Sequence, residues 1–435
     1  RRMRTINARL LRKALSTVSS QFFARRSTSS SAESSVYIHW PYCEKRCSYC
    51  NFNKYVSNNV DHEVMTSCLV SELNTVLNET GVSQITTVFF GGGTPNLMKP
   101  GNVESLVKHL LPLMPSAYPE ISLECNPKFG AKQQLRDFKS SGISRISIGL
   151  QSLLDFDLKL LGRTHTVSEA INFVEAAEEV FPGRTSVDVI YGRPGQTLQQ
   201  WVEELHNVLQ LGLSHLSLYE LTVERGTQLF KDVSGGKLCL PPQETRSDMY
   251  IAAVEAIENA GLQRYEVSNF SNKGRECAHN QRYWKGLQYI GIGPGAHSRL
   301  DFPGHREARI QTLEPVPWMR EVKARGHGTR LVRQQTTSDR LEEMLMLGMR
   351  TAAGILNEDW VKVPGARTLM NTFQDSPCVQ GYIQSGFLRL NKSLLQATSS
   401  GMNVADSLTC SLLPLTMQGK DDIQKKQDDN VSATR

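Results

Sequence analysis

The sequence has no apolar run approaching the roughly 18 residues that a membrane-spanning helix requires, so no integral membrane segment is expected. It also has no second pair of Cys or His residues at the spacing that would complete a structural zinc finger. Nine cysteines scattered irregularly over 435 residues do not form the dense framework of a small secreted scaffold. Their thiols are expected to be reduced, and Cys68, Cys125, Cys239, Cys378 and Cys410, which stand singly, read as packed or incidental. Acidic residues are absent from the first 31 positions, which hold seven Arg and one Lys. Without those eight cations the formal charge of +6 falls to about −2, so the body of the chain is near neutral and no nucleic-acid partner is expected.

That opening segment, "RRMRTINARLLRKALSTVSSQFFARRSTSSS", is also Ser-rich and places Leu10, Leu11, Leu15 and Val18 on one helical face. This is the pattern of a mitochondrial transit peptide, so residues 1–31 are read as an address to the mitochondrial matrix. A disordered basic tail is the alternative.

What is present is ordinary globular material, 39% hydrophobic and 21% charged, in a chain long enough for two domains. Six short β-rich runs stand at "VYIHW" (36–40), "TTVFF" (86–90), "EISLE" (120–124), "ISRISIG" (143–149), "TSVDVIY" (185–191) and "HLSLYEL" (215–221). Helical patterns separate them. Met65, Leu69, Leu73 and Val76 share one face, and residues 167–181 open on Thr166 with Glu169 three positions later as a capping box. Repeated βα units predict an α/β fold, an incomplete TIM-like (β/α)6 barrel, with an open doubly wound sheet as the alternative. The barrel core is expected over 36–240 and an extension over 241–330, in which "HNQRYWKGLQYIGIGPGAHS" (279–298) reads as loop. A C-terminal helical, winged-helix-like domain is expected over 331–415, and a disordered polar tail over 416–435.

Chemistry-bearing residues follow the strands. Cys43, Cys47 and Cys50 follow the first, "GGGTPN" the second, and Glu124 ends the third. In such barrels the active face is built from the C-terminal strand ends, so these residues are expected to converge. Three thiolates leave one corner of a tetrahedral zinc site open, whereas a cubane iron–sulfur cluster held by three Cys keeps one iron free for an exogenous ligand.

With Tyr49 before its last Cys, the CxxxCxxC motif resembles that of the radical S-adenosylmethionine (SAM) enzymes. The resemblance implies a 4Fe-4S cluster on Cys43, Cys47 and Cys50, with SAM on its open iron and reductive cleavage of SAM as the family's chemistry. It assigns Gly92, Gly93 and Thr94 to the SAM amino group, Glu124, Gln151, Arg163 and Asp188 to further SAM contacts, and Tyr37 to the cluster's surroundings. Carboxylates and amides suit ribose hydroxyls, and Arg suits a carboxylate.

"VYIHWPYC" and "DVIYGRPGQT" narrow the resemblance to the group of oxygen-independent coproporphyrinogen III dehydrogenases and HemW-type heme chaperones, over 36 to about 415. The dehydrogenases carry a further Cys two positions after the cluster motif, where this chain has Phe52. The chaperones carry HNxxYW, matched here by His279, Asn280, Tyr283 and Trp284. Neutral imidazole is a usual axial ligand of heme iron, so His279 is the candidate ligand, with Cys277 as a second soft donor and His297 as structural. The expected function is a mitochondrial heme chaperone that binds heme, the cluster and SAM and passes heme to acceptor hemoproteins. Oxidative decarboxylation of coproporphyrinogen III is the alternative. A degenerate scaffold is opposed by the intact Cys trio.

Overall fold

The computed structural model describes residues 32–57, 59–127 and 132–417. The expected address and all but two residues of the expected tail lie outside these ranges. Those two belong to a final helix, Ala405–Met417, so the tail reading is corrected at 416 and 417.

Six strands fall where the sequence placed them: β1 (Glu33–Trp40), β2 (Gln84–Gly92), β3 (Glu120–Cys125), β4 (Arg145–Gln151), β5 (Thr185–Tyr191) and β6 (His215–Glu220). They pair in parallel in that order. Side chains alternate between two faces. Val36, Ile38 and Trp40 of β1 and Val88 and Phe90 of β2 are fully buried under helices. Tyr37 and Phe89, at the alternate positions, face the lumen that the curved sheet encloses.

Helices cover the outer face: α1 (His62–Thr80), α2 (Pro100–Leu110), α3 (Lys132–Ser140), α4 (Val167–Val180) and α5 (Leu198–Leu209). α1 starts at Asp61, whose carboxylate accepts the Val64 N–H at 3.0 Å, and ends at Gly81 with φ 68°. Its Met65, Leu69, Leu73 and Val76 are buried, as their spacing predicts, each worth about 1.5–3 kcal/mol of apolar burial. The Thr166/Glu169 capping box is present at the start of α4.

A further helix, α6 (Gln243–Asn259), leads to β7 (Gln263–Glu266) and β8 (Asn269–Ser271), which add antiparallel to β6. The segment 279–298, expected to be loop, is not. It forms helix α7 (Ala278–Trp284), strand β9 (Tyr289–Ile292) and the start of β10 (His297–Phe302). β9 pairs in parallel with the free edge of β1, making a seventh parallel strand. β11 (His305–Gln311) and β12 (Thr329–Gln334) extend this edge antiparallel, with α8 (Pro315–Arg325) between them. The sheet order is β12-β11-β10-β9-β1-β2-β3-β4-β5-β6-β8-β7, open at both ends.

Glycine lets β9 fit, since a Cβ on Gly291 would lie 1.9 Å from the His297 carbonyl oxygen. Glu72 of α1 secures this addition from beneath. Its carboxylate accepts N–H bonds from Gly293 (2.8 Å) and Gly328 (2.7 Å) and one from the Trp318 indole (3.1 Å). Burial pushes its pKa up to about 7 despite these donors.

Residues beyond β12 build a separate apolar core from Leu345, Trp360, Phe373, Leu395 and Leu412. Helix α9 (Thr337–Gly348) and the last helix pack against each other beside a small antiparallel sheet of β13 (Ile355–Leu356), β14 (Leu388–Leu390) and β15 (Leu394–Ala397). Among the described residues no helix is long and apolar enough to cross a membrane.

Candidate functional site

Cys43 ends a short strand, Tyr42–Cys43, that pairs in parallel with Tyr55–Val56 and closes the cysteine loop. Ser48, directly after Cys47, docks this loop on the barrel. Its N–H donates to the Leu161 carbonyl at 3.0 Å, its hydroxyl to the Leu160 carbonyl at 2.8 Å, and its own carbonyl accepts from the Leu229 N–H at 2.8 Å. Cys43 is buried and Cys47 and Cys50 are half-buried. Burial pushes the Cys43 thiol pKa up, Thr94 opposes this with a hydroxyl donor at 3.3 Å, and Cys47 and Cys50 push it up further. Charges on the three sulfurs therefore act on one another, and a cationic cluster would relieve that repulsion.

Among the described residues no three His, Cys, Asp or Glu side chains gather round one metal-ion position. A single tetrahedral zinc would need its sulfurs about 3.8 Å apart, from Zn–S bonds of about 2.3 Å. A cluster gripped at three different irons has no such requirement, so this donor set fits a multi-iron cluster better than one ion.

The "GGGT" turn is shaped first by protein. A Cβ on Gly92 would stand 2.7 Å from the His39 ring, and one on Gly93 would stand 2.8 Å from the Tyr42 carbonyl oxygen. The Gly92 N–H donates to Glu124 Oε2 (3.1 Å), the Gly93 N–H to the Trp40 carbonyl (2.7 Å) and the Thr94 N–H to the Tyr42 carbonyl (2.9 Å). His39 in turn links the Tyr37 hydroxyl (3.1 Å) to the Asn53 carbonyl (2.8 Å).

Arg163 reaches back to this end of the barrel, donating to Cys47 Sγ (3.6 Å), Asn126 Oδ1 (2.8 Å) and the Gly149 carbonyl (2.9 Å). Burial disfavours its charge, but Tyr49 and Cys47 beside it reverse the effect and raise its pKa. Gln151, at the end of β4, has φ 68°, the left-handed conformation that is costly for a residue with a side chain. Among the described residues no other non-glycine has positive φ.

Glu124 and Asp188 face the lumen. Burial, and then Asp188, push Glu124 up to about 8, partly offset by the Gly92 N–H. Burial pushes Asp188 up to about 6, with hydroxyls of Ser217 and Ser147 opposing. A carboxyl whose folded pKa is raised makes the native state bind more protons than the unfolded chain, so its contribution to stability is lost as pH rises. For Glu124 the window runs from the ordinary 4.5 to about 8. Glu124→Gln is expected to flatten the decline in stability across that window, read as urea midpoints at a series of pH values. An unchanged slope would show that Glu124 is not the group responsible.

These two carboxyls line a cavity of about 230 Å3, to which each of β1 to β6 contributes and which α7 closes. His279 sits there, 1% exposed, stacked on Phe89 at 5.1 Å and edge-on to Tyr283 at 5.1 Å. Its Nδ1 shares a hydrogen bond with the Thr87 hydroxyl at 2.9 Å, while its Nε2 has no partner. Burial lowers its pKa to about 3, so the imidazole is neutral at physiological pH. Burial pushes the thiol of Cys277, the second soft donor, up to about 12.

The structure therefore brings together, at the C-terminal strand ends, the Cys trio, Tyr49, Gly92, Gly93, Thr94, Glu124, Gln151 and Arg163, while Asp188, in the middle of β5, faces the lumen beside Glu124. His279 shares the lumen cavity with Tyr37, Glu124 and Asp188, but that cavity is not lined by the Cys trio or by Gly92. Thr87, the partner of His279, precedes Gly92 by five strand residues, roughly 16 Å. Asn126 was missed by the sequence reading, yet it bridges Arg163 to Thr94, whose hydroxyl it reaches at 3.2 Å. Its position beside Glu124 in "ECNP" was the available signal.

A mixed sheet whose seven central strands run parallel, with helices outside and a three-cysteine loop at its mouth, has the α/β fold of the radical SAM proteins. The model of the Radical SAM superfamily matches residues 37–208, and that of the HemN C-terminal domain matches 335–404. Over 391 residues the chain is 44% identical to the Mus musculus protein named Radical S-adenosyl methionine domain-containing protein 1, mitochondrial, covering 89% of this chain and 88% of that one. Over 369 residues it is 31% identical to the heme chaperone HemW of Bacillus subtilis, covering 84% and 96%. The solved coproporphyrinogen III oxidase HemN of Escherichia coli shares the fold at a TM-score of 0.72 and 20% identity, covering 88% of this chain and 91% of that one. The chain belongs to the radical SAM superfamily, in the family of these mitochondrial and HemW proteins.

Proposed function

We propose that this protein is a heme chaperone of the mitochondrial matrix that holds a 4Fe-4S cluster and SAM, binds heme and passes it to acceptor hemoproteins. Cys43, Cys47 and Cys50 would hold the cluster. Glu124, Gln151, Arg163 and Asp188 would hold SAM, with Tyr37 and Tyr49 packing beside them. The N–H groups of Gly92, Gly93 and Thr94 are spent on protein acceptors, so carbonyl oxygens are what this turn offers to a ligand ammonium. When bound, the cluster and SAM supply one-electron reductive chemistry.

The observation that carries the heme reading is His279, a neutral, buried imidazole with an unpartnered Nε2 on the HNxxYW helix. The relatives named heme chaperones support it, as does Phe52, which stands 66% exposed where a dehydrogenase would carry a further thiol. Residues 1–31 would be the mitochondrial address, in keeping with the names of the mammalian relatives. The sequence reading of 36–240 as barrel, 241–330 as extension and 331–415 as C-terminal domain would stand with two limits moved, to Gln334 where β12 ends and to Met417 where the final helix ends.

Anaerobically reconstituted protein, titrated with heme and assayed in parallel with coproporphyrinogen III, tests this reading. Saturable heme binding without decarboxylated product is expected, and His279→Ala should weaken heme binding at least roughly tenfold and shift its absorption band, as loss of an iron ligand does. Formation of protoporphyrinogen would establish the dehydrogenase instead.

A further inference from the structure

Asn126 stands directly after β3, and all its polar groups, main-chain and side-chain, have partners. Its main-chain N–H donates to Asn96 Oδ1 and its carbonyl accepts from Asn96 Nδ2, both at 3.1 Å. The buried Asn96 amide thus pairs with Asn126 as a neighbouring strand would, and fixes where its side chain starts. The Asn126 amide then serves two neighbours. Its Oδ1 accepts from Arg163 Nη2 at 2.8 Å, and its Nδ2 donates to Thr94 Oγ1 at 3.2 Å. A reversed amide would set its NH2 against a guanidinium, which has donors only, so a single orientation satisfies both partners.

Both neighbours pass a hydrogen on to sulfur. Thr94 accepts from Asn126, which leaves its own hydroxyl hydrogen for Cys43 Sγ at 3.3 Å. Arg163, held through Nη2 by Asn126 and the Gly149 carbonyl, donates through Nη1 to Cys47 Sγ at 3.6 Å. One amide therefore directs two donors, from separate loops, onto two of the three sulfurs of the cysteine loop. Hydrogen bonds strengthen as their acceptor becomes more negative, so donors on cluster thiolates favour the reduced state. Such bonds are among the factors that set a cluster's reduction potential.

We propose that Asn126 is a positioning residue that sets the reduction potential of the bound cluster, by holding the Thr94 hydroxyl on Cys43 and the Arg163 guanidinium on Cys47. The step concerned transfers one electron. A low-potential one-electron donor loses it, the cluster gains it, and the two hydrogen bonds favour the reduced side. Asn96 acts one step further out, by fixing the Asn126 backbone. The proposal rests on the cluster of the proposed function and is independent of heme.

Spectroelectrochemical titration of the anaerobically reconstituted full chain, without SAM, reads the potential directly. Asn126→Leu should bind iron and sulfide as the wild type does, yet shift the reduction equilibrium toward the oxidised cluster roughly tenfold, about 59 mV for one electron. Thr94→Val, which removes one of the two donors, should shift it the same way by less, and Thr94→Ser should keep the wild-type value. Asn126→Leu combined with Thr94→Val should shift it no further than Asn126→Leu alone, because the Cys43 bond is already lost. Asn126→Leu with full iron and the wild-type potential overturns the proposal while sparing the cluster, as does an additive shift in the double variant. If Asn126→Leu loses its cluster, Thr94→Val decides the matter: the wild-type potential there overturns the proposal, and a lowered one upholds it. Wild type without iron and sulfide sinks the cluster and the proposal together.

Discussion

Cys47→Ala, reconstituted anaerobically beside the wild type, is expected to contain iron and sulfide only at background and to lose the visible absorption of the cluster. The expectation follows from how the loop is built. Cys43 is fixed by a strand pair and Cys47 by Arg163, and Ser48 between Cys47 and Cys50 is tied to the barrel at three points. A loop held this firmly cannot bring in a substitute ligand. Cys68 and Cys125 are buried elsewhere, with Cys68 on α1 and Cys125 ending β3 in the main core. Removing one of three thiolates should therefore remove the site, since metal affinity and ligand deprotonation are coupled. Phe52→Ala, two residues beyond Cys50 and exposed, should retain the cluster in full. Full iron and sulfide in Cys47→Ala would remove the cluster from this loop, and with it the SAM assignments that depend on its open iron.

Local signals were readable in the sequence, and non-local ones were not. Period-two patterns located β1 to β6 because each strand buries one face under helices, and Thr166 with Glu169 announced α4 because a capping box is made by neighbours in the chain. β9 escaped because "YIGI" is only four residues long and glycine-rich. Its strand state comes from pairing with β1, more than 250 residues earlier. A separation of 192 residues from Thr87 and 159 from Glu120, which receive it in the lumen, likewise hid the placement of His279. The cysteines, glycines and carboxyls converge as expected because the rule for strand ends follows from topology, whereas α7 obeys no such rule. The reason for the glycines also changed, since His39 and Tyr42 press on them before any ligand does. Glu72 and Arg193 gave no signal, because a buried charge looks in sequence like any exposed one.

Arg193→Met is expected to cost about 3–5 kcal/mol of stability, the range for breaking a buried ion pair from one side. Arg193 is fully buried and donates to Asp157 at 3.0 Å, to the Ile190 carbonyl at 2.5 Å and to Glu204. Methionine would fill much of the volume but leave two buried carboxylates facing each other. Acid neutralises carboxylates, so the deficit measured by urea unfolding should narrow as pH falls. Arg193→Met combined with Glu204→Gln should recover part of it. The effect should also reach the SAM site by two routes. Glu204 accepts from the Ser152 hydroxyl (2.6 Å) and the Leu153 N–H (2.7 Å), which pins the chain directly after the strained Gln151. Asp157 lies in the short helix Asp155–Leu160, whose end carries the carbonyls that hold Ser48 of the cysteine loop. One buried guanidinium thus supports both the left-handed Gln151 and the seat of the cluster, and weaker SAM binding should accompany the lost stability. A destabilisation below about 1 kcal/mol, the scale of an exposed pair, would show that water reaches the two carboxylates and that Arg193 is not their sole counter-charge.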